Sequence, residues 1–117
     1  MNAQVEIETV AAGPNLVVLR VRGRLDARGA ALLAGCCADA RRQNKHLVLN
    51  LSGVSFIASS GVGALLALVE EYRQSRWRVR LAEVSPAVDS VIRLLNLDQF
   101  LSIDATEADA SSALEAA

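Results

Sequence analysis

Hydrophobic and polar positions alternate from Val5 to Thr9, where Glu6 and Glu8 separate Val5 and Ile7, and this period predicts a half-buried strand. Ala11-Ala12-Gly13-Pro14-Asn15 supplies a turn, and Leu16 to Arg22 resumes extended spacing with Val17, Leu19 and Val21 on one face. The period then changes. Beyond Arg24-Leu25-Asp26-Ala27-Arg28-Gly29, the residues Leu32, Leu33, Cys36, Cys37 and Ala40 recur at helical spacing, predicting a first helix from near Ala27 to Gln43. His46 to Leu51 is almost continuously apolar, as a strand covered on both faces would be, and is the expected centre of a parallel sheet. Ser52 to Ala58 reads as a connection. Val62, Leu65, Leu66, Val69 and Tyr72 then follow helical spacing, and Ser59-Ser60-Gly61 opens this second helix with a serine cap.

Trp77, Val79 and Leu81 alternate with Arg78 and Arg80, predicting a strand with one wet face. Ser85-Pro86 is a helix-start signal, a capping hydroxyl followed by a proline whose missing N–H costs nothing there. The third helix is expected to turn Val88, Val91, Ile92 and Leu95 inward and to end near Asn96. A short strand around Phe100 to Ile103 follows, and Ala105-Thr106-Glu107 opens a final alanine-rich helix. The order β-β-α-β-α-β-α-β-α defines an α/β fold, a small mixed sheet of about five strands with four helices, in a single domain over residues 1–117. Right-handed crossovers between parallel strands bring Gly23 to Gly29, Ser52 to Gly61 and Glu83 to Pro86 to one edge. That edge is where a functional surface is expected.

Composition narrows the chemistry. The balance of 12 basic and 13 acidic side chains, with a formal charge of -1, argues against a basic phosphate-binding surface, because nucleic-acid binding depends on Lys and Arg clusters that release counterions. One Trp, one Tyr and two Phe are too few for a stacking platform, so no nucleic-acid partner is expected. The longest apolar run, Ala64 to Val69, is far short of the roughly 20 residues of a membrane span. Met1 to Glu6 shows neither a basic start nor a hydrophobic block, which predicts a cytoplasmic protein. Cys36 and Cys37 are neighbours that point about 100 degrees apart in a helix, and His46 is the only histidine. Buried thiols are therefore expected, with no metal and no cofactor.

Two positions could carry chemistry. Ser59 stands at a predicted helix N-terminus, where it either caps the helix or, if phosphorylated, places its dianion against the helix dipole. Neither GxxxxGK[ST] nor GxGxxG is present, which argues against a phosphate-binding loop. Asp26, between Arg24 and Arg28, is a natural cap for the first helix and is expected on the same edge as Ser59. A hydrolase reading of Ser59 has no base, because His46 opens the central strand at its opposite end and GxSxG is absent. No catalytic residue and no enzymatic activity are expected. Tyr72, Trp77 and Phe100 are read as core or core-edge residues. Arg73, Arg76, Arg78 and Arg80 form a basic cluster, read as a solvated face with an acidic-partner surface as the alternative.

The run His46-Leu47-Val48-Leu49-Asn50-Leu51-Ser52-Gly53-Val54-Ser55-Phe56-Ile57-Ala58-Ser59-Ser60-Gly61-Val62-Gly63-Ala64-Leu65-Leu66 resembles the signature of the STAS family, the bacterial anti-sigma factor antagonists. Gly23-Arg24-Leu25-Asp26 is similar to that family's G-x-L-D turn, and Val84-Ser85-Pro86-Ala87-Val88 to its third-helix start, so the resemblance covers nearly the whole chain. It implies a small sheet with helices packed on it and a protein that regulates transcription by partner switching. In such antagonists the first serine of D-S-S-G accepts phosphate from an anti-sigma factor that is itself a serine/threonine kinase of the histidine-kinase-like ATPase type. That serine matches Ser59, and the turn aspartate matches Asp26. The implied switch has the unphosphorylated protein bind the anti-sigma kinase and free the sigma factor, phosphorylation of Ser59 break the complex, and a phosphatase restore it. The implied partner-binding residues are Arg24, Asp26, Arg28, Ser55, Ala58, Ser59, Ser60, Gly61 and Gly63. One position departs from the pattern: Ala58 stands where the family has aspartate. The alternative is a non-switching STAS subunit of a lipid-transport ABC ATPase or of a sensory complex, in which Ser59 only caps the helix.

Overall fold

The two-residue alternation of the strands sorts their apolar side chains onto opposite faces of one sheet, and each face recruits its own helices. The computed structural model describes residues 5–115. Residues 1–4, part of the stretch on which the cytoplasmic expectation rests, and residues 116 and 117 lie outside that range. The elements are β1 (Glu6–Gly13), β2 (Leu16–Leu25), α1 (Ala27–Arg42), β3 (His46–Ile57), α2 (Ser59–Arg73), β4 (Val79–Ala82) and α3 (Pro86–Leu94). A 3-10 turn (Leu97–Gln99), β5 (Ile103–Asp104) and α4 (Glu107–Glu115) complete the described chain. The strands lie in the order β1-β2-β3-β4-β5, with β1 antiparallel to β2 and every other pair parallel. The expected mixed sheet and element order are thus found.

Val17, Leu19, Val21, Leu47, Leu49, Leu51 and Leu81 pack with Leu33 and Cys37 of α1, Leu65, Leu68 and Tyr72 of α2, and Val88 and Ile92 of α3. The intervening Leu16, Val18, Val48 and Ala82 meet Ala110 and Leu114 of α4 on the other face. β3 is covered on both faces, which is why its first half is apolar at nearly every position, with the buried Asn50 the exception. Not every helical apolar position is inside. Leu32 is half exposed, and Leu66 and Leu95 also face outward, while Val91 is only partly covered. In the nine-residue α3 only Val88 and Ile92, four apart, reach the sheet, and in α2 the inward stripe is Leu65, Leu68 and Tyr72.

Three boundaries differ from the expectation. β4 begins at Val79 rather than Trp77, and β5 follows Phe100 rather than containing it, because the chain first tightens into the Leu97–Gln99 turn after Asn96 at φ 55. Phe100 is 57% exposed, not part of the core. The largest difference is β3, which does not end at Leu51 but continues to Ile57. Its second half pairs with β2 from Arg22↔Gly53 to Leu25↔Ile57, whereas β4 stops opposite Asn50. Beyond Asn50 the sheet therefore narrows to a two-stranded ribbon. Two register shifts, between Arg20 and Arg22 and between Gly23 and Arg24, each place an extra residue on the β3 side. The first changes the phase of the alternation, so that Leu51 and Val54 both enter the core.

Candidate partner-binding edge

The ribbon carries Arg24 and Ser55, and the helix starts that follow its two strands carry the other residues that the sequence singled out. Gly23 sits at the second register shift with φ 102, a conformation that side-chain-bearing residues rarely adopt, and its carbonyl accepts a hydrogen bond from Ser55 Oγ at 3.2 Å. The Arg24 guanidinium lies 4.1 Å from the centroid of the Phe56 ring, its partner across the ladder. Phe56 was not among the expected site residues. Its signal was available, an aromatic in a polar segment of a chain with few aromatics, but a segment read as a connection offers no ladder on which to place it opposite Arg24.

Asp26 caps α1 as expected, its carboxylate accepting from the Gly29 N–H at 2.9 Å. Arg28 is exposed in the first turn of the same helix. The start of α2 does not follow the expectation. Ser59 is already helical, and the cap is Ala58, extended at φ -92 and ψ 172, with no side-chain hydrogen bond to the helix. The cause lies in the backbone: the Ala58 N–H donates to the Leu25 carbonyl at 3.0 Å, so the chain passes from β3 into α2 with no intervening loop. Ser59 and Ser60 are exposed in the first turn, and Gly63 is exposed with open space where a side chain would stand. Gly61 is buried. A Cβ there would lie 2.6 Å from the Leu25 carbonyl oxygen and 2.8 Å from Ile57 Cγ1, so its place at this edge is one of close approach rather than of exposed surface.

The N-termini of α1 and α2 thus meet at the ends of β2 and β3, with Asp26 and Ser59 each one residue from the Ala58–Leu25 bond. The first-turn N–H groups of α2 carry the positive end of the helix dipole and have no side-chain cap. The third expected segment stands further back: Ser85 N–H donates to the Leu51 carbonyl at 3.3 Å, placing the Glu83–Pro86 loop at the base of the ribbon.

His46 lies at the far end of β3, twelve residues long, from the serine turn. Its Nδ1 accepts from the Arg78 N–H at 3.0 Å and its ring meets Trp77 edge-on at 5.1 Å. Burial, and then the charge of Arg78, lower its pKa. It cannot serve Ser59 as a base. Among the described residues no group of three His, Cys, Asp or Glu side chains could hold a metal ion, and no helix is long and apolar enough to cross a membrane. Cys37 is buried as expected and its thiol is pushed up to about 12 by burial, whereas Cys36 is only half-buried, packed against the edge of the core.

A mixed sheet with three helices on one face and one on the other, and a polar edge where two helix N-termini meet, defines a small α/β domain. The chain matches the STAS domain over residues 6–110 and belongs to that family. It is 28% identical over 117 residues to a Paenibacillus polymyxa protein named anti-sigma F factor antagonist, covering 98% of this chain and 97% of the relative. The anti-sigma factor antagonist SpoIIAA in its unphosphorylated form is similar at a TM-score of 0.79 and 25% identity, over 96% of this chain and 98% of that one. The Bacillus cell fate determinant SpoIIAA in its phosphorylated form is similar at 0.71 and 26% identity, over 92% and 97%.

Proposed function

We propose that this protein is a cytoplasmic anti-sigma factor antagonist whose partner binding is switched at Ser59. Unphosphorylated, it binds an anti-sigma factor that is a serine/threonine kinase of the histidine-kinase-like ATPase type, and the sigma factor is released. Phosphorylation of Ser59 by that kinase breaks the complex, and a phosphatase resets it. The protein acts by binding and performs no chemistry of its own. The observation that carries this reading is the placement of Ser59: exposed, in the first turn of α2, and joined through the Ala58–Leu25 bond to the turn that bears Asp26. The name of the Paenibacillus relative and the existence of SpoIIAA in both phosphorylation states support it.

The physics is consistent with a switch. A phosphate adds about -1.5 to -2 charge, and the uncapped first-turn amides of α2 favour that charge locally while a partner surface matched to a neutral hydroxyl would not. Arg24, Asp26, Arg28, Ser55, Ala58, Ser59, Ser60 and Gly63 form the proposed contact surface, with Gly61 beneath it. One observation favours the second reading, a non-switching STAS subunit of a lipid-transport ABC ATPase or a sensory complex: Ala58 supplies no carboxylate beside the Ser59 hydroxyl. Incubation with the cognate kinase and ATP, followed by mass-spectrometric mapping, tests the switch; Ser59 is expected to be the modified residue. Kinase binding is expected to be lost in Ser59→Asp and kept in Ser59→Ala. An unmodified Ser59, or co-purification with an ABC-type ATPase regardless of the residue at this position, would favour the second reading.

A further inference from the structure

We propose that the groove between the last turn of α2 and the start of β4 is a docking site for an acidic peptide segment that carries an apolar anchor. The groove holds about 290 Å³ and is lined by Val69, Arg73, Trp77, Arg78, Arg80 and Phe100, among others. Three guanidinium groups and three aromatic rings, those of Tyr72, Trp77 and Phe100, line one opening in a chain whose formal charge is -1. Among the described residues only Arg80 of the three is matched by a carboxylate, that of Asp104 at 2.6 and 3.2 Å. Among the described residues Arg73 and Arg78 have no carboxylate within ion-pair distance, and Arg76 stands 5.9 Å over the Trp77 ring. The nearest acidic residues of α2 are otherwise engaged, Glu70 with Gln74 and Glu71 with Arg41.

Uncommitted guanidinium forks suit carboxylates, which they bind in bidentate geometry. Beside them Phe100 stands 57% exposed, an apolar contact with nothing upon it among the described residues. An acidic chain with one large apolar side chain satisfies both halves of this surface. A nucleic acid would need a longer basic track than three arginines provide. Because α2 runs back from Ser59 to Arg73, the groove lies at the end of the sheet opposite the Ser59 edge. The proposal is thus independent of the switch.

Trp77 is the only tryptophan in the chain, so its emission reports directly on the groove. The probe is a synthetic hexapeptide with Phe-Leu flanked on each side by two glutamates. The expected result is a saturable change in Trp77 emission that weakens as salt is raised. Arg73→Glu combined with Arg78→Glu is expected to lower affinity about tenfold or more, and Phe100→Ala several-fold. All three positions are exposed, so parent-like melting of the variants is expected and confirms that the fold is intact. Hexapeptides with Gln for Glu, or Ala for Phe and Leu, are expected to give no saturable change. Ser59→Asp should leave the titration unchanged, which separates this site from the proposed switch. The proposal is overturned if the acidic peptide produces no saturable change, if binding survives the double charge reversal, or if inorganic phosphate competes as well as the peptide does.

Discussion

The Ala58 N–H donates to the Leu25 carbonyl at 3.0 Å, so the residue that caps α2 and the last residue of β2 are joined through main-chain atoms alone. A backbone bond makes no demand on side-chain identity. Of the side chains on either side of it, those of Arg28, Ser59 and Ser60 are exposed and free to be selected for what they contact outside the molecule, whereas Leu25 and Gly61 are buried and Asp26 caps α1.

Ala58→Asp tests the missing cap. The backbone of Ala58 already has the extended conformation of a capping residue, and a carboxylate there could accept from a first-turn N–H. The variant is expected to be more stable by about 1 kcal/mol, measured as a rise in the urea midpoint at unchanged slope.

Gly61→Ala tests the close approach of α2 to β2. The added methyl meets a carbonyl oxygen at 2.6 Å, a backbone atom that cannot swing aside, so a loss of about 1–3 kcal/mol is expected. Gly63→Ala, with open space around it, is the control and should be neutral or slightly stabilising, since alanine favours a helix interior.

A third expectation concerns acid. Glu107 accepts from Arg20 Nε at 2.8 Å and from Asn50 Nδ2, and its own N–H donates to Glu83, which ties the start of α4 to the sheet. The hydrogen bond from Arg20, reinforced by Asn50 and by the arginine's charge, lowers the Glu107 pKa against the opposing effect of burial. Its folded value thus lies below its unfolded one, so the stabilisation is present above the ordinary carboxylate range and is lost as pH falls through the folded value. Glu107→Gln should be less stable than the parent at neutral pH, and the gap should close as pH is lowered below about 4. Urea titrations across that range measure it.

The cysteines offer a fourth. With its thiol pushed up to about 12 by burial, Cys37 should resist iodoacetamide in the folded protein at pH 8, and the half-buried Cys36, also raised by burial, should react slowly. Both should react fully in urea. Peptide mass spectrometry distinguishes the two sites.

Much of this architecture is legible in the sequence because its signals are local. Asp26 and Ser85 stand three residues before the N–H groups they accept from, and the strand alternation assigns Val17, Leu19 and Val21 to one face without knowledge of their partners. What is not legible depends on pairing. Ser52-Gly53-Val54-Ser55 has the composition of a loop and becomes strand only because β2 lies beside it and two bulges absorb the mismatch. With that ribbon unseen, the Arg24–Phe56 stack and the transfer of the α2 cap from serine to Ala58 are equally hidden. Leu95 and Phe100 mislead for a different reason: helical and strand spacing predict a buried face, but at the ends of short elements there is nothing left to cover them.

The ribbon formed by the far halves of β2 and β3 has a consequence for how this protein can evolve. Gly53 to Ile57 project past the end of β4, and of these only Val54 is fully buried. Drift at the exposed Ser55 and Phe56 therefore costs the folded state little, whereas a Cβ at Gly53 would meet Arg22 Cγ at 2.3 Å and Ile57 packs against the core. New partners can be acquired, and old ones abandoned, by changes confined to this projecting tongue, while the Leu and Val layers beneath it stay under separate selection for stability.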